Sequence, residues 1–253
     1  MEVIAAKNLV VGYGDSVILE DLNFFIAKGK ITVIVGESGS GKTTLFRTLI
    51  GLLPPLSGEM YLSGVKVDFH SEKSLQSLYR EIGVLYQGGA LINSLSLYEN
   101  VALPIRIHFP GLPKEIEASI VLSKLSQVGL RECSEKYPSE LSGGMRKRAA
   151  LARAMVLDPQ IIICDEPSSG LDPITSSSLD DLLLDLKSRW GMTLVVITHE
   201  LRSIEKIADR VIILNNGRIL FNGEQSLLDS TEDPYIQTFF LKRGNHGDQR
   251  AKN

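Results

Sequence analysis

A phosphate-binding loop is the clearest chemical feature of the sequence. Residues 36–43 read Gly-Glu-Ser-Gly-Ser-Gly-Lys-Thr, which fits the pattern G-x-x-x-x-G-K-[ST], and they follow an apolar run over 31–35. Glycines allow the backbone N–H groups to turn inward onto an anion, and a helix that begins at Lys42 adds the positive end of its dipole. Lys42 would reach the β- and γ-phosphates of a nucleotide, and the Thr43 hydroxyl would bind Mg²⁺. The residues expected to hold the phosphates are Gly36, Glu37, Ser38, Gly39, Ser40, Gly41, Lys42, Thr43 and Thr44.

Two adjacent carboxylates follow a second apolar run. Residues 161–164 read Ile-Ile-Ile-Cys and are followed by Asp165, Glu166 and Pro167. The carboxyl ends of parallel strands face the ligand in open α/β sheets. Asp165 can therefore join the shell of a Mg²⁺ ion, and Glu166 can polarise an attacking water. An Asp-Glu-Pro sequence also forms plain turns and helix caps, but the phosphate loop in the same chain favours the catalytic interpretation.

A second candidate anion site opens a later helix. Leu141 is followed by Ser142, Gly143, Gly144 and Met145, in which Ser142 is a good N-cap and the glycines leave their N–H groups uncovered. The basic run 146–148 that follows opposes the helix dipole. The alternative is a capped helix with a solvated basic face. A chain with one phosphate loop has no evident need for a second anion site, unless that second site serves the nucleotide of another subunit.

Strands alternate with helices along most of the chain, which predicts a largely parallel sheet with helices on its faces. The stretch 88–138 is helical and broken by prolines, including Pro104, which indicates a helical insertion. The expected elements are strands over 2–8, 16–26, 31–35, 161–164, 193–198 and 211–214, a hairpin arm over 58–69, and helices over 45–53, 145–157, 176–190 and 201–208.

Composition indicates an ordinary globular chain. A net charge of −3 and a pI near 5.9 provide no basic field, so we expect no nucleic-acid partner. No apolar run approaches the roughly 20 residues that span a bilayer, and the N-terminus shows no secretory signal, so we expect a cytoplasmic protein. Cys133 and Cys164 have no metal-ligand spacing, and we expect both to be reduced.

Taken together, the motifs resemble the ATP-binding subunits of ABC transporters over residues 1 to about 230. The resemblance implies a P-loop NTPase ABC ATPase fold of the α/β class, with a mainly parallel core sheet, an N-terminal antiparallel β-subdomain and a helical subdomain over about 88–157. It implies a single ABC ATPase domain over 1–241, and the polar composition of 242–253 predicts a disordered tail. It also implies ATP and Mg²⁺ as cofactors, and an ATP-dependent head-to-tail dimer in which each ATP lies between the phosphate loop of one copy and the Leu-Ser-Gly-Gly segment of the other. The motifs that carry the resemblance are the phosphate loop, Leu141-Ser142-Gly143-Gly144, Asp165-Glu166, Ser169-Gly170-Leu171-Asp172 and Thr198-His199.

The same resemblance implies individual roles. Tyr13 would stack on adenine, and its alternative is a partly buried strand tyrosine. The resemblance also gives roles to Gln87, Asp172 and His199. Their alternatives are a surface glutamine, an Asp-Pro turn and a structural histidine, respectively. The implied residues are Glu166, His199, Gln87 and Asp172 in catalysis, Thr43, Gln87 and Asp165 at Mg²⁺, and Ser142, Gly143, Gly144 and Met145 acting in trans.

Within the family, the segment 89–104 and Met145, which replaces the usual glutamine, are similar to the Mla/Mce group of lipid-transport ATPases. The spacing of Asp233-Pro234 and Phe239-Phe240 is also similar, although the long aromatic C-terminal extension of some members is missing. This implies a second copy of the chain, membrane permease subunits and an Mce-type periplasmic lipid-binding subunit as partners, at the inner face of the cytoplasmic membrane. Two alternatives stay open. One is an importer of amino acids or another small solute, and the other is a soluble ABC ATPase, which usually needs a second cassette or long coiled coils.

Overall fold

Two β-sheets, the seven α-helices named below and a further helical stretch over 234–238 make up most of the chain over residues 1–228 and 230–238, the part that the computed structural model describes. No helix in this part is both long and apolar enough to cross a membrane. The strands are β1 (Glu2–Tyr13), β2 (Ser16–Ala27), β3 (Ile31–Gly36), β4 (Ser57–Leu62), β5 (Val65–Lys66), β6 (Ile82–Leu85), β7 (Ile161–Asp165), β8 (Thr193–Ile197), β9 (Arg210–Asn215) and β10 (Arg218–Glu224). The helices are α1 (Lys42–Leu49), α2 (Glu72–Glu81), α3 (Leu97–His108), α4 (Lys114–Gln127), α5 (Gly143–Met155), α6 (Pro173–Trp190) and α7 (Leu201–Ile207).

The central sheet has the strand order β10-β9-β3-β8-β7-β6. Strands β9, β3, β8, β7 and β6 are parallel, and β10 joins β9 antiparallel at the edge. Every residue of β3 and of β8 is buried, because helices or the second sheet cover both faces. The predicted mainly parallel sheet is confirmed.

The second sheet is antiparallel, with the order β2-β1-β4-β5. Its apolar face packs over α1, and Ile4, Leu22 and Ile26 share one core with Leu45 and Leu49 of α1. The phosphate-loop helix is therefore held between the two sheets. This is the N-terminal β-subdomain that the sequence resemblance implied.

Helices α3, α4 and α5 pack on one another, and their apolar residues join the core on the other face of the central sheet. We call this group, with its connecting segments over 88–157, the helical insertion. The expectation that Pro104 breaks the helix is wrong, since Pro104 lies inside α3. Burial of Leu97, Val101 and Ile105 on one face of α3 outweighs the local preference against proline.

Three further differences from the predicted elements concern α1, α2 and β10. Helix α1 ends at Leu49, short of residue 53, because Gly51 takes a left-handed conformation with φ of 80°. Helix α2 was not predicted, because most of its residues are charged or polar and Leu78 is its only buried residue. Strand β10 was not predicted either, and it lies at the sheet edge with alternate residues exposed. The proposed tail 242–253 and the Phe239-Phe240 pair lie outside the described residues.

We expect Glu117→Gln to destabilise the chain most at neutral pH. Arg106 donates to the Glu117 carboxylate at 2.8 and 3.0 Å across the α3–α4 contact, and this bond is the main reason that the pKa of Glu117 lies below its usual value. A lowered folded-state pKa stabilises the fold above the unfolded pKa of about 4.3, and this contribution is lost as pH falls through the folded value. The free energy of unfolding should fall by about 1–2 kcal/mol near neutral pH, and the difference from wild type should shrink below about pH 4.

Urea unfolding at a series of pH values measures this difference. Glu115→Gln, at an exposed position of the same helix, is the control and should leave stability unchanged. A Glu117→Gln deficit that stays constant over the whole pH range would show that the ion pair contributes nothing.

Candidate nucleotide-binding and hydrolysis site

A cleft of about 470 Å³ opens at the carboxyl edge of the central sheet. The phosphate loop forms one side of it. Side chains that follow three other strands complete its lining: Gln87 after β6, Asp165 and Glu166 at the end of β7, and His199 after β8. Residues as far apart in the sequence as Gly36 and His199 thus meet in one cavity. The structure brings together most of the site residues that the sequence predicted.

The phosphate loop has a backbone that only glycine accommodates at key points. Gly39 and Gly41 have φ of 84° and 99°. A Cβ added at Gly36 would lie 2.4 Å from Ser40 Oγ and 2.5 Å from the Leu214 carbonyl oxygen. Lys42 Nζ donates to the carbonyls of Gly36 and Glu37 at 2.7 and 2.8 Å, so the loop is folded around its own ammonium group. The result is a concave backbone surface with a positive charge at its mouth.

The donor set for a Mg²⁺ ion is present on the wall of the cleft. Thr43, Gln87 and Asp165 all line it, and their hydroxyl, amide and carboxylate oxygens are ligands that Mg²⁺ prefers. Burial raises the pKa of Asp165, and the neighbouring Glu166 charge adds to this effect. A divalent cation would offset both effects. In the described residues no cluster of three or more His, Cys, Asp and Glu would hold a metal by itself, so phosphate oxygens and water would have to complete the shell.

Glu166 and His199 form a hydrogen-bonded pair at the edge of the cleft. His199 Nδ1 lies 2.7 Å from Glu166 Oε1, a distance at which Nδ1–H donates to the carboxylate. The Glu166 side chain is 14% exposed and that of His199 is 58% exposed. A largely buried carboxylate oriented by an imidazole is a suitable proton acceptor for a water in the cleft.

The backbone at Glu166 is in an unusual conformation. Its φ of 45° is left-handed, which costs a non-glycine residue about 1–2 kcal/mol. Such a conformation persists only where the surroundings impose it. The Glu166 N–H donates to the Ile197 carbonyl at 2.8 Å, and its carbonyl accepts from the Ser169 N–H at 3.2 Å. These bonds aim the carboxylate into the cleft.

The segment Ser142–Met145 and Asp172 do not line the cleft. Ser142 caps α5 by accepting from the Met145 N–H at 3.3 Å, as predicted. Asp172 caps α6 and accepts from the N–H groups of Ile174 and Thr175 at 3.0 Å. The two helix starts pack closely, because a Cβ added at Gly144 would lie 2.4 Å from Thr175 Cγ2. The starts of α5 and α6 therefore lie side by side, outside the lining of the cleft.

Tyr13 lies at the end of β1 with 45% of its surface exposed. Its hydroxyl accepts from Arg47 Nη1 at 3.1 Å, while Ile18 of the neighbouring strand lines the cleft. An exposed ring at this position is available for stacking, and the adenine contact stays a prediction.

Sequence reasoning missed Lys147. The alternative of a solvated basic face is wrong for this residue, since Lys147 is buried and its ammonium donates to the carbonyls of Gln87 and Glu166. Burial lowers the pKa of Lys147, and the charges of Asp165 and Glu166 act in the opposite direction. The available signal was helical spacing, because Lys147 shares a face with the buried residues Ala150, Leu151 and Ala154.

Cys164 lies directly behind the carboxylates in β7 and is fully buried, as predicted. Burial raises the pKa of its thiol to about 12, so the thiol is neutral. Cys133 is also free and half-buried. Neither cysteine takes part in the cleft chemistry.

Comparison with known proteins agrees with the geometry. The family model described as ABC transporter matches residues 19–169. The chain is 41% identical over 250 residues to the intermembrane phospholipid transport system ATP-binding protein MlaF of Haemophilus influenzae, which covers 98% of this chain and 94% of that protein. It is 40% identical over 240 residues to the probable ribonucleotide transport ATP-binding protein mkl of Mycobacterium leprae, which covers 95% of this chain and 69% of that one.

The fold also matches a solved structure. The dimeric ATP-binding cassette MJ0796, in a post-hydrolysis state bound to ADP and Pi, superposes with a TM-score of 0.77 and 31% identity, over 87% of this chain and 98% of that one. The family match, the relatives and the cleft lead to the same conclusion. The chain belongs to the ABC transporter family, as an ATP-binding and ATP-hydrolysing subunit.

Proposed function

We propose that the chain drives lipid transport, with phospholipid as cargo, through a separate membrane permease. The observation that carries this proposal is the similarity to MlaF, which extends over 98% of this chain and 94% of that protein. A periplasmic lipid-binding subunit of the Mce type would complete the system. Transport of a small solute is the second candidate, because the chain is equally similar to mkl, whose name gives a ribonucleotide as cargo.

The residues of the cleft support the following hydrolysis. The loop N–H groups and Lys42 hold the β- and γ-phosphates, and Mg²⁺ bound through Thr43, Gln87 and Asp165 would neutralise phosphate charge. A water molecule attacks the γ-phosphorus, its proton passes to the Glu166 carboxylate, and the bond to the β–γ bridging oxygen breaks. His199 holds the carboxylate in place through the 2.7 Å hydrogen bond. The products are ADP and phosphate.

A second copy of the chain is proposed to complete the site. The N–H groups of Gly143 and Gly144 lie in the first turn of α5, at its positive end, and neither glycine lines the cleft of its own chain. A head-to-tail dimer would place them, with Ser142, Met145 and Asp172, against the nucleotide of the partner. The similar cassette MJ0796 was solved as a dimer, which supports a second copy as partner.

An apolar groove supports the permease as a partner. It has a volume of about 420 Å³ and lies between α2, β6 and the helical insertion. Its exposed apolar residues include Ile92 and Ile107, at 40% and 64% exposure, and Arg80 and Arg153 are among its charged residues. This combination suits a short amphipathic helix with acidic residues, presented by the cytoplasmic side of the permease. The chain would then lie at the inner face of the cytoplasmic membrane, with 1–241 as one domain that includes the insertion 88–157.

The cargo is tested by purifying the full chain with its native membrane partner and analysing bound lipid by mass spectrometry. We expect a permease with glycerophospholipid, and Ile107→Asp should abolish the capture because it places a charge in the groove. Ile116→Asp, at an exposed apolar position on α4 outside the groove, is the control. A captured permease that carries a small solute and no lipid would favour the second candidate.

We expect Glu166→Gln to keep ATP binding and to lose hydrolysis by roughly 10²–10⁴-fold, since the amide cannot accept the proton. Bound ATP should then persist and hold two copies together, which light scattering measures as a doubling of mass. Glu205→Gln, an exposed position on α7, is the control. Hydrolysis at the wild-type rate would remove Glu166 from the reaction.

A crosslink tests the head-to-tail arrangement. Cysteines at Ser38 in the phosphate loop and Ser142 at the start of α5, in a chain with Cys133→Ser, should join two different copies when ATP is trapped by Glu166→Gln. The same cysteines should not join without ATP. A crosslink within one chain, or none in the trapped state, would contradict the dimer.

A further inference from the structure

Lys147 is a buried cation that contacts two segments of the hydrolysis site without lining the cleft. It lies in α5, shortly after the Ser142 cap, and is 5% exposed. Its ammonium donates to the carbonyl of Gln87, which follows β6, and to the carbonyl of Glu166 at 3.3 Å, at the end of β7. One side chain thus connects α5 with both of these segments.

Packing alone does not account for a lysine at this position. Burying an ammonium group is unfavourable unless it is well bonded, and an apolar side chain of similar size would avoid that cost. Burial accordingly lowers the pKa of Lys147, against the opposing charges of Asp165 and Glu166. The contacts that offset the cost are made to the backbone of the two catalytic segments, so the benefit lies there.

The contact with Lys147 affects the backbone conformation of Glu166, and with it the position of the carboxylate. The left-handed conformation of Glu166, with φ of 45°, sets the direction of the carboxylate, and its carbonyl otherwise accepts from the Ser169 N–H at 3.2 Å. Lys147 adds a charged donor to that carbonyl, and charge-assisted hydrogen bonds are stronger than neutral ones. Loss of this donor would let the peptide rotate and move the carboxylate relative to the attacking water.

The Gln87 side of the contact is reinforced by the same helix. Arg153, also in α5, donates to the carbonyls of Gly89 and Ala90 at 2.9 and 2.7 Å. The loop after β6 is therefore bonded to α5 at both ends. Lys147 extends this connection from the loop to the catalytic carboxylate.

We propose that Lys147 is a positioning residue for hydrolysis, which fixes the backbone of Glu166 relative to Gln87 and to helix α5. Because α5 begins with the Ser142–Met145 segment, a change at its N-terminus would reach Glu166 through this side chain. The proposal rests on the role of Glu166 given above. Lys147 itself does not line the cleft, so its effect would pass through Glu166.

The test compares Lys147→Met with Lys124→Met in the full chain. Lys124 is also a lysine of the helical insertion, 9% exposed, and it pairs with Asp158 away from the cleft. We measure Mg·ATP hydrolysis, the affinity for a fluorescent ATP analogue and thermal unfolding. Lys147→Met should lower kcat on the order of 10²-fold with KM and affinity unchanged, as a misplacement of about 1 Å does. Lys124→Met, which removes a similarly buried lysine away from the cleft, should keep kcat.

Lys147→Arg should restore kcat, because a guanidinium also donates to carbonyls. If Lys147→Met does not fold, Lys147→Gln replaces it in the comparison with Lys147→Arg. Wild-type kcat in the Met or Gln variant, an equal loss in the Arg variant, or a loss that appears in KM would overturn the inference. The Glu166→Gln variant separates the two proposals. If Glu166→Gln hydrolyses ATP normally, the proposed role of Glu166 is wrong. If Glu166→Gln is inactive while Lys147→Met is active, only the proposed role of Lys147 is wrong.

Discussion

The register of the parallel strands is the constraint on which the rest of the structure depends. Ile197 at the end of β8 lies opposite both Ile34 of β3 and Asp165 of β7. The phosphate loop, the two carboxylates and His199 consequently leave the sheet at the same level and meet in one cleft. A slip of one residue in β7 would turn its side chains to the opposite face of the sheet and separate the carboxylates from the loop.

The cleft is supported from two sides by different cores. One core holds α1 between the two sheets, and the other joins the helical insertion to the opposite face of the central sheet. Helix α1, which follows the phosphate loop, packs in the first core, while the buried apolar side chains of α5 belong to the second. Glu166 lies between them, bonded to Ile197 of the sheet and to Lys147 of the insertion. A nucleotide that contacts both sides would couple binding to the position of the insertion, which also carries part of the apolar groove proposed above to bind the permease.

The sequence was most informative where chemistry and secondary structure coincide. The phosphate loop, the Asp165-Glu166 pair and the strand before His199 are contiguous motifs, and the parallel sheet followed from strand–helix alternation. Elements that bury few residues were not found, such as α2, which buries only Leu78, and the edge strand β10, which has no buried residue. Pro104 was misjudged because packing of α3 outweighs its local preference. The role of Lys147 depends on contacts across 60 and 19 positions of sequence, which local patterns do not encode.

The central claim is that this cleft binds and hydrolyses ATP, and the phosphate released from Mg·ATP by a Lys42→Ala chain tests it most directly. Lys42 carries the positive charge at the mouth of the phosphate loop and contacts the Gly36 and Glu37 carbonyls, so its removal leaves the sheet register intact. The matched control is Lys73→Ala, at an exposed position of α2. We expect both chains to stay folded, with phosphate release lost in Lys42→Ala and kept in Lys73→Ala. Phosphate release at the wild-type rate from a folded Lys42→Ala chain would contradict the account.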